Sequence, residues 1–313
     1  MNIGVITSGG DAPGMNPCLA EIVKNARKKG YRVYGYKRGF LGIYENDFED
    51  ITTKNVQGWY QLGGTVLKTG RLLELKEERC QRQLVDNLKK NSIEVLIVLG
   101  GDGSFLGAMK LHEMDPSLNI IGIPCTIDNN IYGSDYTIGF DTALNTQVRY
   151  LDGLHDTGSA LKGRIFFVET LGAYDGYLPH SSVIMGMADF SVICECPMTD
   201  EEIYEKIKQL KEQEQKDYIM VMFAEGDGNH RCLQVAEMIK ERLQANVKCS
   251  LLGFSQRGGT PTAGERLYAA GFAKYAIEGI AQGIRNQYVT YKNGKYEYMD
   301  ITQAVKKKKY DYL

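Results

Sequence analysis

Residues 1–16, which read MNIGVITSGGDAPGMN, decide the fold of this chain. The apolar run at residues 3–7 ends in Gly9 and Gly10, and an amphipathic segment begins at Met15. A short strand, a glycine turn and a helix together form a βα unit, and backbone NH groups at such a helix start can face an anion. The segment is neither GxGxxG nor a Walker A loop, so a phosphate loop and a plain tight turn are both open here.

The same strand-then-helix alternation continues along the chain. Further strands are predicted at residues 31–36, 93–99, 119–124, 164–170, 218–223 and 250–254. Helices are predicted at residues 15–29, 84–90, 104–114, 141–154, 199–215, 230–244 and 262–283. Repeated βα units predict an α/β fold with mainly parallel sheets that are flanked by helices. Asn293-Gly294, between two β-prone runs, predicts a two-residue hairpin turn.

Length and charge limit the class of protein. A chain of 313 residues suits one large domain or two lobes, since single cores seldom grow further. Its 37 basic and 39 acidic residues leave a net charge of −2, which argues against nucleic acid or a membrane as partner. No long apolar segment predicts a signal peptide or membrane span, and the seven scattered cysteines lack CxxC spacing. We therefore expect a cytoplasmic protein.

Two further loops carry chemistry at predicted strand ends. Residues 100–104, GGDGS, place an acidic residue among three glycines, which suits a phosphate chain and its bridging Mg²⁺. Residues 124–130, PCTIDNN, offer Asp128 as a general base and Thr126 as a positioning donor, although such turns also occur without function. Ligands of open α/β sheets bind beyond the carboxyl ends of strands. The three loops together predict phosphoryl transfer.

In this order and spacing, these segments resemble the ATP-dependent 6-phosphofructokinase family of bacterial type. The motifs that carry the resemblance are TSGGDAPGMN, GGDGS and TIDN, joined by residues 40–45 (FLGIYE), 136–143 (YTIGFDTA) and 256–261 (QRGGTP). The likeness covers nearly the whole chain. It implies the phosphofructokinase fold, with two Rossmann-like three-layer α/β/α lobes and mainly parallel sheets.

The resemblance also implies an ATP site with Mg²⁺. Asp102 would hold the metal, Asp128 would take the proton from the sugar 1-hydroxyl, and Gly10 and Thr126 would complete the catalytic group. The residues expected to bind ATP are Gly10, Arg71, Leu72, Gly101, Asp102, Gly103 and Ser104. Pyrophosphate-using relatives have Asp where this chain has Gly103 and Lys where it has Cys125, so ATP is the expected donor. Cys125 is itself a departure, because the ATP enzymes usually have Gly there.

The sugar-phosphate pocket matches the family less well. The residues expected to bind the acceptor are Thr126, Asp128, Arg164, Leu171, Gly172, Glu225, Lys248, Phe254 and Arg257. In this set Lys248 stands for an arginine and Phe254 for a histidine, while outside it Ala173 stands for an arginine and Asn130 for an aspartate. Two interpretations stay open: a slow fructose 6-phosphate kinase, or a kinase whose acceptor is another sugar, sugar phosphate or nucleoside. A non-catalytic nucleotide-binding paralogue is the alternative from another class.

The resemblance further implies how the chain is divided and assembled. We expect a larger ATP-binding lobe at residues 1–138 plus 258–303, and a smaller sugar-phosphate-binding lobe at 139–257 plus 304–313. In the family Arg164 and Lys248 serve the active site of a neighbouring subunit. A homotetramer with shared active sites is therefore expected.

Overall fold

The structure, a computed structural model, describes residues 1–172, 174–212, 216–226 and 229–310. The strands are β1 (Asn2–Thr7), β2 (Arg32–Tyr36), β3 (Phe48–Asp50), β4 (Val95–Gly100), β5 (Asn119–Thr126), β6 (Ile138–Gly139), β7 (Arg164–Thr170), β8 (Phe190–Val192), β9 (Tyr218–Ala224), β10 (Asn246–Leu251), β11 (Gln287–Lys292) and β12 (Lys295–Asp300). The α-helices are α1 (Met15–Lys28), α2 (Phe40–Glu45), α3 (Glu78–Lys90), α4 (Asp102–Met114), α5 (Phe140–Ala160), α6 (Tyr177–Ile184), α7 (Asp200–Glu212), α8 (Arg231–Leu243) and α9 (Ala263–Ala281).

The chain divides into two compact units. The first unit contains Met1–Thr142 and Arg257–Lys309, and the second contains Ala143–Gln256 together with Tyr310. Arg257 and residues 304–309 thus lie in the first unit, whereas the family resemblance led us to expect them in the smaller lobe.

The sheet of the first unit has the strand order β12-β11-β5-β4-β1-β2-β3, and β6 pairs with β5. Strands β5, β4, β1 and β2 run parallel, while β3 and β12 are antiparallel to their neighbours. The chain passes from β1 to β2 on one side and later to β4 on the other. The strand order therefore reverses between β1 and β4, and such a switch point opens a crevice beyond the carboxyl ends.

Helices cover the buried strands of the first unit. Leu96 and Val98 of β4 pack with Leu84 of α3 and Phe105 of α4 in one apolar cluster. The alternate residues Ile97 and Leu99 are also fully buried. A strand that is apolar on both faces belongs in the middle of a parallel sheet, as the sequence predicts.

The sheet of the second unit is parallel throughout, in the order β10-β7-β9-β8. Ile165 and Phe167 of β7 pack with α7 and α8, whereas Phe166 and Val168 pack with Leu151 of α5. This alternation follows from the pleat, which turns successive side chains to opposite faces. The expected α/β fold with mainly parallel sheets is confirmed.

Two local predictions have opposite outcomes. The hairpin forms at Asn293-Gly294, where both residues have positive φ (49° and 79°), as a primed two-residue turn requires. The strand predicted at residues 250–254 is wrong: β10 ends at Leu251, and Gly253–Arg257 form a 3₁₀ turn. Among the described residues, no helix is long and apolar enough to span a membrane.

Candidate active site

Two loops of the first unit meet at the switch point between β1 and β4. β1 ends at Thr7, and the backbone NH of Ser8 still donates to the carbonyl of Leu99 on β4 at 2.9 Å. Gly9 has φ 85°, a conformation that favours glycine. A Cβ on Gly100 would lie 2.5 Å from Ser104 Oγ and 2.8 Å from the Ser8 carbonyl oxygen. Glycine is required here because the two loops approach so closely.

These loops line a cavity of about 1010 Å³ in the first unit. Its lining includes five carboxylates, those of Asp11, Glu78, Asp102, Glu113 and Asp128, and four cations, those of Arg71, Lys76, Lys110 and Arg257. The predicted nucleotide residues that line it are Gly10, Arg71, Leu72, Gly101, Asp102, Gly103 and Ser104. The tertiary structure thus brings together the residues that the sequence assigned to ATP.

Helix α4 begins at the floor of this cavity. Asp102 is its first residue, is exposed, and accepts a 2.6 Å hydrogen bond from the Gly103 NH on Oδ1. A Cβ on Gly103 would meet no described atom within 4 Å, so protein packing does not demand glycine there. Within the described residues, no three His, Cys, Asp or Glu side chains form a metal site. Asp102 alone, with phosphate oxygens, still suits Mg²⁺, which prefers few carboxylates plus phosphate.

The Thr126–Asp128 pair stands where β5 ends. Thr126 Oγ1 lies 3.4 Å from Asp128 Oδ2 and accepts from the Asp128 NH at 3.3 Å. The hydroxyl of Thr137 donates to the Thr126 carbonyl at 2.6 Å, and β6 pairs Gly139 with Thr126. The half-buried Asp128 carboxylate is therefore held at the cavity by its own turn and by β6.

A buried carboxylate supports this strand from behind. Glu265, 0 % exposed, accepts hydrogen bonds on Oε1 from the Gly139 NH and Tyr136 OH, at 2.7 and 2.8 Å. Its Oε2 accepts from the NH and hydroxyl of Thr142 at 3.1 and 3.0 Å. Burial raises the pKa of Glu265 to about 7, although the hydrogen bonds from Gly139, Thr142 and Tyr136 lower it. Glu265 thus fixes the segment that pairs with Thr126.

Comparison with known proteins agrees with this geometry. The family model described as "Phosphofructokinase" matches residues 2–280. The chain belongs to the phosphofructokinase family. It is 41% identical to an "ATP-dependent 6-phosphofructokinase" of Sulfurihydrogenibium sp. (strain YO3AOP1), covering 94% of this chain and 90% of the relative. A protein of the same description from Aquifex aeolicus (strain VF5) is 35% identical, covering 99% and 96%.

Solved phosphofructokinases share the fold. The Pichia pastoris phosphofructokinase in the T-state superposes with a TM-score of 0.88 at 29% identity, covering 97% of this chain. This chain spans only 37% of that longer protein. A pyrophosphate-dependent phosphofructokinase from Marinobacter aquaeolei has a TM-score of 0.84 at 20% identity, covering 99% of this chain and 85% of its own, a likeness of fold alone.

Arg257 lies beside the phosphate loops. A Cβ on Gly10 would overlap the Arg257 guanidinium group, and both residues line the cavity that contains Asp128. The sequence placed Arg257 with the sugar phosphate. The structure shows its guanidinium group in the same cavity as the nucleotide residues and Asp128.

The acceptor residues predicted in the second unit do not all come together. Leu171 and Glu225 follow the carboxyl ends of β7 and β9, where the Glu225 NH donates to the Thr170 carbonyl at 2.9 Å. Arg164 opens β7, so six residues of strand, about 20 Å, separate it from Thr170. Lys248 on β10 pairs with Phe166, also toward the amino ends. Within one chain, Arg164 and Lys248 therefore lie far from Glu225.

The remaining acceptor positions differ in environment. Gly172 has φ 139°, and the Gly226 NH donates to its carbonyl at 3.4 Å, so it lies beside the β9 end. Phe254, in the 3₁₀ turn, is 74% exposed. Ala173 lies outside the described residues.

Sequence reasoning missed one whole wall of the cavity. Besides Asp11, the overlooked lining residues include Leu106, Gly107, Lys110 and Glu113 of α4. Together with Gly103 they recur at helical spacing, which places them on one face of the helix. Leu106 on that face is 47% exposed. An exposed apolar residue such as Leu106, on a helix that begins at a phosphate loop, could have predicted this wall from the sequence.

Cys125 lines the same cavity but is a packing residue. It is 2% exposed, and burial raises the pKa of its thiol well above the usual range. The side chain is therefore neutral. Cys194 and Cys196, by contrast, are exposed.

Proposed function

We propose that this chain transfers the γ-phosphoryl group of ATP to the 1-hydroxyl of fructose 6-phosphate, giving fructose 1,6-bisphosphate in glycolysis. One observation carries the proposal: the glycine loops, Asp102 and the Thr126–Asp128 pair line a single cavity. Close relatives over nearly the full length are named ATP-dependent 6-phosphofructokinases. The protein is accordingly a cytoplasmic kinase.

The donor side is assigned to the first unit. Backbone NH groups of residues 9–11 and 101–104, with the start of α4, hold the phosphates, and Arg71 adds charge. Asp102 would hold Mg²⁺, which would supply charge neutralisation for the phosphates. The open space beside Gly103 leaves room for a nucleotide, which supports ATP over pyrophosphate.

The acceptor oxygen is activated by Asp128. Its carboxylate accepts the proton of the 1-hydroxyl while that oxygen attacks the γ-phosphorus and the bond to the ADP oxygen breaks. Thr126 keeps the carboxylate oriented through its hydroxyl. The Arg257 guanidinium group over Gly10 stabilises negative charge on the moving phosphoryl group.

The separation of the predicted acceptor residues supports their being shared between subunits. Arg164 and Lys248 lie toward the amino ends of β7 and β10, away from Glu225. They are assigned to the acceptor of a neighbouring subunit, in a homotetramer. Leu171, Gly172, Glu225 and Phe254 are assigned to the acceptor of their own chain.

A second candidate is a kinase of the same mechanism with another acceptor. The exposed phenyl ring of Phe254 favours it. By the family resemblance, this ring replaces a histidine that donates a hydrogen bond to the sugar phosphate. A less anionic sugar would lose least from that change.

An ADP-release assay with purified protein, ATP and Mg²⁺ tests the proposal. Fructose 6-phosphate should give turnover, and Asp128→Asn should lower kcat by about 10²- to 10⁴-fold while the KM for ATP stays within about twofold. Unchanged turnover in Asp128→Asn would refute the role of the base. No ADP release with fructose 6-phosphate, together with ADP release with another sugar or nucleoside, supports the second candidate. Silence with every acceptor refutes a kinase.

A further inference from the structure

A carboxylate–imidazole pair stands at the carboxyl edge of the second unit's sheet. His230 Nδ1 lies 2.7 Å from Oε1 of Glu169, the sixth residue of β7. His230 adopts φ 49° as the N-cap of α8, a left-handed conformation that is uncommon outside glycine. Neither residue belongs to the phosphoryl-transfer machinery described above.

Glu169 favours the imidazolium form of His230. Its side chain is only 5% exposed, and its buried Oε2 has no hydrogen-bond partner within the described part of the chain. A desolvated carboxylate is costly unless a cation pairs with it. The hydrogen bond and charge of Glu169, with a smaller effect of Glu225, raise the pKa of His230.

Two thiols are further ionisable groups near this pair in the described part of the chain. The hydrogen bond with Cys249, burial and the Glu169 carboxylate raise the pKa of Cys232 on α8 far above its usual range. Cys249 itself lies on β10 next to β7. Arg231, the next residue of α8, donates to the Met198 carbonyl at 2.7 Å and pairs with Asp200, so it faces away. The carboxylates of Glu169 and Glu225 therefore control the charge of His230.

The outer side of the imidazole faces solvent. The His230 side chain is 46% exposed, and Nε2 has no hydrogen-bond partner among the described residues. The Glu225 carboxylate, which contributes to the raised pKa of His230, belongs to the residue that follows the end of β9. The Glu225 NH donates a hydrogen bond to the Thr170 carbonyl there. The donor thus stands beside the segment assigned to the acceptor.

We propose that His230 binds the acceptor: Nε2–H of its imidazolium form donates a hydrogen bond to the phosphate of the sugar phosphate, and Glu169 orients it. The inference rests on the proposed function, since it names a specificity residue of that same acceptor site. It supplies a cationic donor at the carboxyl edge, whereas Arg164 lies about 20 Å away along β7. Affinity for the sugar phosphate then depends on pH.

The test is the pH profile of the KM for fructose 6-phosphate. In the wild type, KM should rise roughly tenfold as pH increases through the raised pKa of His230, because a charged hydrogen bond is lost. His230→Asn should raise KM roughly tenfold at low pH and abolish that rise, leaving the titration of the sugar phosphate itself, with its pKa of about 6. The values of kcat and of the KM for ATP should stay within about twofold.

Two further variants separate binding from a structural role. His155→Asn removes another second-unit histidine, one that pairs with Tyr218 OH at 2.7 Å, and should keep the wild-type profile. Glu169→Gln keeps the shape of the side chain but removes its charge. The rise in KM should therefore occur at lower pH than in the wild type, near the ordinary histidine pKa of about 6.5. This variant serves if His230→Asn does not fold.

The outcomes distinguish the two proposals. If the wild type turns over fructose 6-phosphate and His230→Asn keeps its KM profile, the role of His230 is refuted alone. Equal losses in kcat and in both KM values would assign His230 to structure and also refute it. If the wild type gives neither turnover nor heat on titration with fructose 6-phosphate, the proposed function fails, and this inference fails with it.

Discussion

Replacing Glu265 by glutamine should remove a pH dependence from the stability of the first unit. In the folded chain this carboxyl is fully buried, and burial raises its pKa from 4.5 to about 7. The unfolded chain therefore releases the proton near pH 4.5, while the folded chain keeps it to about pH 7. Between these values the folded state binds more protons, so the free energy of unfolding falls as pH rises.

The size of the effect follows from the two pKa values. The rise in the pKa of Glu265 from 4.5 in the unfolded chain to about 7 in the folded chain corresponds to about 3 kcal/mol of unfolding free energy. This contribution is present below the lower pKa and is lost above the upper one. About 2.5 kcal/mol of it falls between about pH 5 and about pH 8. The glutamine side chain of the Glu265→Gln variant cannot ionise, and its NH₂ group would face one of the two backbone NH donors, at Gly139 or Thr142. That mismatch lowers stability at every pH by about 1–3 kcal/mol.

Urea unfolding at these two pH values measures the effect. The chain has one tryptophan, Trp59, in the first unit, so its fluorescence reports unfolding there. The wild type minus Glu265→Gln difference in unfolding free energy should shrink by about 2.5 kcal/mol from the lower to the higher pH. Glu278→Gln, on the exposed side of the same helix, should show no such change. A difference that stays constant within about 1 kcal/mol refutes a buried carboxyl with a raised pKa.

Two glycine substitutions test the nucleotide cavity. Gly103→Asp should fold normally, since its side chain enters open space, yet it should raise the KM for ATP at least about tenfold, because the carboxylate repels the phosphates and takes up room. Gly153→Asp, at another open helical position, is the control and should keep the wild-type KM. An unchanged KM in Gly103→Asp contradicts the assignment. Gly10→Ala should displace the flexible Arg257 guanidinium group and lower kcat about tenfold or more with little change in Tm; wild-type kcat would show that Arg257 does not act there.

The phosphate loops were predictable because their chemistry is local. A strand that ends in glycines before a helix start needs only neighbouring residues to form, so residues 8–11 and 100–104 could be assigned from the sequence. The hairpin at Asn293-Gly294 was predictable for the same reason.

The β10 region was not predictable from local pattern. Residues 250–254 are mostly apolar and suggested a strand, but the chain turns after Leu251 so that Gln256 becomes fully buried and accepts from the Leu171 NH at 2.8 Å. The strand that forms, Asn246–Leu251, is a half-exposed strand at the edge of the sheet, and its pairing with β7 defines it. Tertiary pairing here overrides local preference.

The sequence by itself determined the α/β fold, the phosphate loops and the candidate base Asp128. Only the tertiary structure decided which side chains meet. Strand order brings Asp11, Asp102 and Asp128 to one cavity, buries Glu265 against Gly139, and joins Glu169 to His230 across 61 residues of chain. Such meetings depend on which strands become neighbours, and that is set by burial of the whole sheet rather than by any short segment.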